Sequence, residues 1–443
     1  MTARTRRNQP ANGGVRVAYV NARLLDPASG LDVKGALLAD GDIIADLGPD
    51  LFTGGVPDGI EVVDCMGHCL APGLVDMRVQ LREPGQEHKE SLATASVAAA
   101  AGGVTTMVCL PNTNPVLDEV SLIEFILRRG SGLGIVNIYP YGALTKGFNG
   151  KDLTEIGLLA AAGAVGFTDA THTVADAVVM RRALSYGSAF DVPIIQHAEE
   201  PELAADGAMN EGELATRLGL TGIPAAAEVI MIDRDLRLVE LTGGRYHAAH
   251  VSTAASVEAI RRAKDRGLAV TCDTAPHYFA LNELAVGDYR TFAKVSPPLR
   301  SEEDRQAIAD GLADGAIDAV ASDHSPHDQD SKRLPFAQAE FGIIGLETLL
   351  PLSLELYHNG HMPLADVIGA LTFRPADILR LPAGRLKRGA KADLVLIDLD
   401  VPWRIDVAAF GSKSKNSPFD GRPAQGRAIR TVAAGRTVFE LST

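Results

Sequence analysis

Eight times between residues 70 and 327 the chain repeats one pattern: a segment that starts apolar and ends polar, followed by a helical stretch or a loop. The eight segments are LAPGLVDMRVQLR (70–82), VTTMVCLP, IVNIYPYGAL, AVGFTDA, VPIIQHAE, RYHAAHVST, LAVTCDTAPHY and DAVASDHSPH. Helical stretches fall between them, among them Glu90–Ala101, closed by Gly102-Gly103, then Asp118–Arg129 and Leu153–Ala162. Strands that alternate with helices favour a parallel sheet covered on its outer face, and eight such units favour a closed barrel. An open doubly wound sheet is the competing α/β arrangement, but the Gly-rich phosphate-binding turn of that class is absent. The expected fold is therefore an α/β (β/α)8 TIM barrel over residues 70–379.

The flanks read differently. Residues 1–14 are basic, polar and aperiodic, as expected of a disordered arm. Residues 15–69 hold short apolar runs broken by turn signals, with hairpin character at Asp40-Gly41-Asp42. Residues 380–443 return to strand-like runs (KADLVLIDLD, RAIRTVAAG, RTVFEL), so the two ends are expected to build one composite β-sandwich domain. The net charge of −14 argues against nucleic acid or an anionic membrane as a partner. Four cysteines in 443 residues, and no apolar run of spanning length, predict a cytoplasmic protein with reduced thiols.

Barrel chemistry sits where strands end, and here the ends are polar. They carry Arg78, Gln80 and Arg82; Asn112 and Asn114; Asp169; His197; His250; His277 and Asn282; and Asp323, His324 and His327. In the first strand Asp76, Arg78 and Gln80 are two apart and share a face. One strand-end histidine is usually structural. Four successive strands ending in histidine, with an aspartate, match what a divalent-metal hydrolase requires: imidazole and carboxylate donors plus an open position for water.

The motifs APGLVDMRVQLREPGQEHKE, AAAAGGVTTMVCLPNTNP, AHVSTAASVEAI, KVSPPLR-SEEDR, ASDHSPH, PFAQAEFGIIGLET and SKSKNSPFDG make the chain, from about Asn21 to Val438, resemble the multifunctional-complex (class I) type of dihydroorotase, in the amidohydrolase superfamily. The resemblance implies a two-metal amidohydrolase of pyrimidine biosynthesis that interconverts carbamoyl-aspartate and dihydroorotate. It implies metal ligands at His197 and His250, a metal-binding catalytic Asp323, and substrate contacts from Arg82, Asn112, Asn282 and His327. At three ligand positions the chain departs from that pattern. The His-x-His pair is Arg78 and Gln80, and the bridging carboxylate is Ala170.

Arginine keeps its proton and offers no lone pair, Gln80 offers only an amide oxygen, and Ala170 offers nothing. A guanidinium at position 78 could instead restore the positive charge that Asp323, and Asp169 beside it, would otherwise lack. The favoured expectation is a non-catalytic homologue that binds no zinc, or at most one, and assembles with aspartate transcarbamoylase. The alternative is an active dihydroorotase with a reduced zinc site. A hydantoinase or allantoinase is weaker, because AVGFTDA has no lysine to carboxylate. A homo-oligomer is expected in either case. The polar loop Ser325–Gly342 would overhang the pocket, and Lys413–Asn416 reads as a solvated turn.

Overall fold

The computed structural model describes residues 15–442; the expected arm at 1–14 lies outside the described residues. Parallel strands Leu74–Val79, Val104–Cys109 and Asn137–Pro140 pair in one run. Ile194–His197, Tyr246–Ala249, Val270–Thr274 and Ala319–Val320 pair in another. The expected fourth strand, AVGFTDA, is reduced to Phe167, which bridges Gly142 on one side and Ile194 on the other. Gly163 and Gly166 flank its start and Ala170 turns the chain at φ 60°, which leaves too little extended backbone for a full strand. At the opposite seam Val79 bridges His324, and the Gln80 N–H donates to the His324 carbonyl at 2.9 Å. The ring is closed. Its TIM-barrel architecture turns the strand ends toward one mouth.

The stretch 70–82, expected as one strand, is divided between two sheets. Cys69–Pro72 pairs with the terminal segments, and Leu74–Val79 opens the barrel. Gly73 is the pivot: a Cβ there would stand 2.1 Å from Thr105 Oγ1 and 2.7 Å from Thr105 Cβ. The termini form an auxiliary sheet of eight strands. Cys69–Pro72 joins its halves, parallel to Arg16–Asp26 and antiparallel to Leu394–Arg404. Hydrogen bonding makes this one continuous sheet around a shared apolar core that includes Tyr19, Leu37, Ile44, Leu70, Leu394 and Val432. The hairpin expected at Asp40–Asp42 is present, with Asp40 opposite Ile43.

Lys413–Asn416 does not form the solvated turn that was expected. Ser412, Ser414 and Asn416 are buried, and Asn416 Nδ2 donates to the carbonyls of Ser325 (2.9 Å) and Gly342 (3.1 Å). Ser412 Oγ donates to the buried Glu90 carboxylate. The strap is polar because it satisfies loop carbonyls and a carboxylate that water cannot reach. All four cysteines are buried and unpaired, and burial pushes their thiols well up from the ordinary range. No described helix is long and apolar enough to cross a membrane.

Gly73→Ala is expected to cost about 1–3 kcal/mol by overpacking, read from urea unfolding. Adding Thr105→Ala, which removes the two nearest atoms, should return part of that loss.

Candidate functional site

The first barrel strand sets the site. Its alternation turns Asp76 and Arg78 inward, and Gln80 and Arg82 follow past the strand's end. Asp76 Oδ1 accepts from the N–H groups of Arg78 (3.2 Å) and Ser322 (3.1 Å), which ties the first strand to the last. Burial pushes the Asp76 carboxyl up to about 7.

Above it, Arg78 Nε donates to Asp323 Oδ1 at 2.9 Å, and Nη2 donates to the Ala170 carbonyl at 3.2 Å. Both partners are almost fully buried. Burial raises the Asp323 carboxyl to about 6, and the Arg78 charge holds it from going higher. Arg82, Ala170, His250 and Asp323 all adopt positive φ (60°, 60°, 40° and 49°), so four strand-end residues carry backbone strain of the kind that collects at functional sites.

Asp169 does not meet Arg78. It accepts from the Leu144 and Thr145 N–H groups (2.9 and 2.8 Å) and from Thr145 Oγ1. His197 Nδ1 and His250 Nε2 are 3.1 Å apart. Burial, then the Arg78 charge, pushes His250 well down, so it is neutral, and its Nδ1 has no partner among the described residues. His277 lies buried in the short helix Pro276–Ala280, pushed down to about 3 by burial. His324 Nδ1 accepts from the Gly345 N–H at 3.1 Å, a structural role behind the mouth.

A cavity of about 730 Å³ opens at this mouth, with Arg78, Gln80, Arg82, Asn112, Asp323 and His327 in its wall. Arg82 Nε donates to the Pro326 carbonyl (3.1 Å) and Nη2 to His327 Nε2 (3.1 Å). Burial lowers Arg82 to about 10, which leaves it cationic at neutral pH. Burial, reinforced by Arg82, drives His327 down to about 2, so its ring is a neutral acceptor. Asn112 Nδ2 donates to Gln80 Oε1 at 3.0 Å, and Gln80 Nε2 donates to Ser325 Oγ.

Asn282 is the residue expected here that the fold takes elsewhere. Its side chain accepts from the Leu284 N–H (3.0 Å) and donates to Glu302 (2.7 Å), capping a short turn outside the cavity wall. Sequence reasoning missed Glu199, Glu340 and Phe341, which line the same cavity. Glu199 stands two residues past His197, a spacing that could have revealed it. Burial works against its ionisation, but His197, whose Nε2 stands 3.6 Å away, and the Arg300 charge hold its carboxyl below the usual range. Glu340 and Phe341 arrive on a loop and left no periodic signal.

These residues do not fit a dinuclear metal centre. Where the resemblance implies metal donors, a guanidinium stands at position 78 and a methyl group at position 170, and the Gln80 amide is already bonded on both sides. His197 Nδ1 and His250 Nε2 are spaced like two ligands of one tetrahedral zinc, which would stand about 3.3 Å apart. Among the described residues, however, no group of three or more His, Cys, Asp or Glu side chains is placed to hold a metal ion. Removing one partner of the Arg78–Asp323 pair leaves a buried charge alone. Arg78→Met is expected to destabilise the fold by about 3–5 kcal/mol in urea unfolding, and Arg78→Met with Asp323→Leu should recover most of that loss.

Residues 67–256 match the family model described as dihydro-orotase-like. The chain is 50% identical over 426 residues to the dihydroorotase of Wolbachia sp. subsp. Brugia malayi, covering 96% of each protein. It is 51% identical to that of Anaplasma phagocytophilum, covering 96% of this chain and 95% of the relative. The L-hydantoinase of Arthrobacter aurescens superposes with a TM-score of 0.86 at 26% identity over 96% of both chains. A dihydropyrimidinase of Brevibacillus agri (TM-score 0.84, 22% identity, 96% of this chain and 95% of that one) shares the fold. With such identity over nearly its whole length, the chain belongs to the dihydroorotase family of the amidohydrolase superfamily.

Proposed function

We propose that this protein is a non-hydrolytic, class I-type member of the dihydroorotase family that serves pyrimidine biosynthesis as an assembly partner of aspartate transcarbamoylase. The Arg78–Asp323 ion pair carries this reading. It supplies the carboxylate with a fixed cation in the space that a metal would share, and arginine has no lone pair to exchange for one. The scaffold supports it too: the barrel, the auxiliary sheet and the buried strap are built in full, so a surface for assembly survives the loss of the donor set. Arg82, Asn112 and His327 keep a polar cavity that suits dihydroorotate or carbamoyl-aspartate as a bound ligand.

A second reading rests on two observations. His197 Nδ1 and His250 Nε2 keep a ligand-like spacing, and the relatives in Wolbachia and Anaplasma are named dihydroorotases. Under that reading one zinc is held by His197 and His250, with Asp323 released from Arg78 as the catalytic carboxylate.

Elemental analysis and a dihydroorotate hydrolysis assay on one preparation separate the two. The expected result is well under one zinc per chain and no turnover; about one zinc per chain with turnover would reverse the assignment. Arg78→His, Gln80→His and Ala170→Asp together are expected to gain tightly bound zinc, read by the same elemental analysis. Co-elution with aspartate transcarbamoylase on size exclusion checks the partnership, and separate elution of the two would remove it.

A further inference from the structure

A loop that ends in residues 340–342 forms part of the cavity wall, and two buried lysines donate to its carbonyls. Lys294 and Lys332 are 2% and 1% exposed, values unusual for a side chain that carries a charge. Lys294 Nζ donates to the carbonyls of Ala337 (3.0 Å) and Ala339 (2.7 Å), and it lies 4.2 Å from the centre of the Phe341 ring. Lys332 Nζ donates to the carbonyls of Glu340 (2.6 Å) and Gly342 (3.0 Å). Glu340, Phe341 and Gly342 are cavity wall. Among the described residues neither lysine forms an ion pair, so in the closed loop each must be held as an uncompensated buried charge or give up its proton.

We propose that closure of this loop over the cavity is coupled to proton release from Lys294 and Lys332, so that the cavity wall is held more firmly in alkaline than in acidic solution. The inference goes beyond the function proposed above and stands whether or not the cavity binds a metal.

The charges that face the two groups agree with this. The Lys294 ammonium acts against charge on Lys332, and Arg82, Lys89 and Lys332 all act against charge on the His327 ring, which is neutral. The one carboxylate acting on both is Glu340, whose side chain is exposed and which meets Lys332 through its backbone carbonyl. Burial outweighs that carboxylate: it lowers Lys294 to about 8 and Lys332 to about 7. A lysine freed by loop opening titrates near 10.4. The open loop therefore binds more protons than the closed one across the interval from about 7 to about 10. Linkage then requires closure to strengthen as pH rises through that interval, by up to about tenfold per pH unit for each lysine, and to be flat below it. Cation–π contact with Phe341 and the backbone acceptors keep the closed state accessible while the ammonium is still charged.

Hydrogen exchange of the whole chain between pH 6 and pH 9, corrected for intrinsic rates, tests this. Protection at residues 335–342 is expected to rise about tenfold or more from pH 7 to pH 9, with the lysine variants below as the controls. Lys332→Met should reduce that slope, and Lys294→Met with Lys332→Met should abolish it whatever the absolute protection becomes. Wild-type protection that does not change with pH, or a slope that survives in the double variant, would overturn the proposal. If the double variant does not fold, lysine ¹³Cε shifts of the wild-type protein decide the matter: midpoints near 7 and 8 support the coupling, and midpoints near 10 refute it.

Discussion

The barrel mouth is organised by a single ion pair. Asp323 enters the mouth from the last strand on a backbone at φ 49°, almost wholly out of water, and Arg78 reaches it from the first strand. A buried carboxylate without a counter-charge is among the most expensive features a fold can carry, so the guanidinium is a condition for keeping the strand end as it is. The same side chain donates to the Ala170 carbonyl, and thereby fixes the tight turn that stands where a bridging carboxylate would project. One residue thus closes the ring electrostatically between its first, fourth and eighth positions. A metal centre would have done this through coordinate bonds.

The neighbours are arranged around that pair. The Gln80 amide is part of a chain running from Asn112 to Ser325. His250 is left neutral with one ring nitrogen unpartnered, and Asp169 turns to the backbone of Leu144 and Thr145. Most of these polar groups are hydrogen-bonded, as burial demands, and His250 Nδ1 is left without a partner among the described residues. The result is a mouth paired at its centre through Arg78 and Asp323 and polar at its wall.

Much of this was legible in the sequence, because it follows from periodicity and charge. The eight apolar-to-polar segments imply the barrel, and the two-residue alternation past Asp76 puts Arg78 on the face that meets Asp323. What could not be read depends on backbone conformation or on distant contacts. The direction of Asp169 is decided by a positive-φ turn at Ala170, and no pattern of side chains announces it. Asn282 was lost to a competing local role, since asparagine caps turns readily and does so here. The division of residues 70–82 between two sheets hangs on one glycine whose lack of a Cβ matters only once Thr105 is beside it. The strap at 413–416 looks like a solvent turn by composition and is buried only because the barrel's loops leave carbonyls for it to meet.

The distribution of what is kept and what is replaced has its own logic. Arg78, Gln80 and Ala170 stand where the resemblance implies metal donors, whereas Arg82, Asn112 and His327 line the cavity wall, with Arg82 bonded to Pro326 and His327 and Asn112 to Gln80. Arg82 is a buried cation, and burying it costs free energy unless a partner compensates. Keeping that cation buried beside a neutral histidine is economical only if something negative is bound there, or if the wall it builds is needed to hold the surrounding loops in place. Both possibilities ask the same thing of Arg78: that its pair with Asp323 hold the strand ends behind that wall in place.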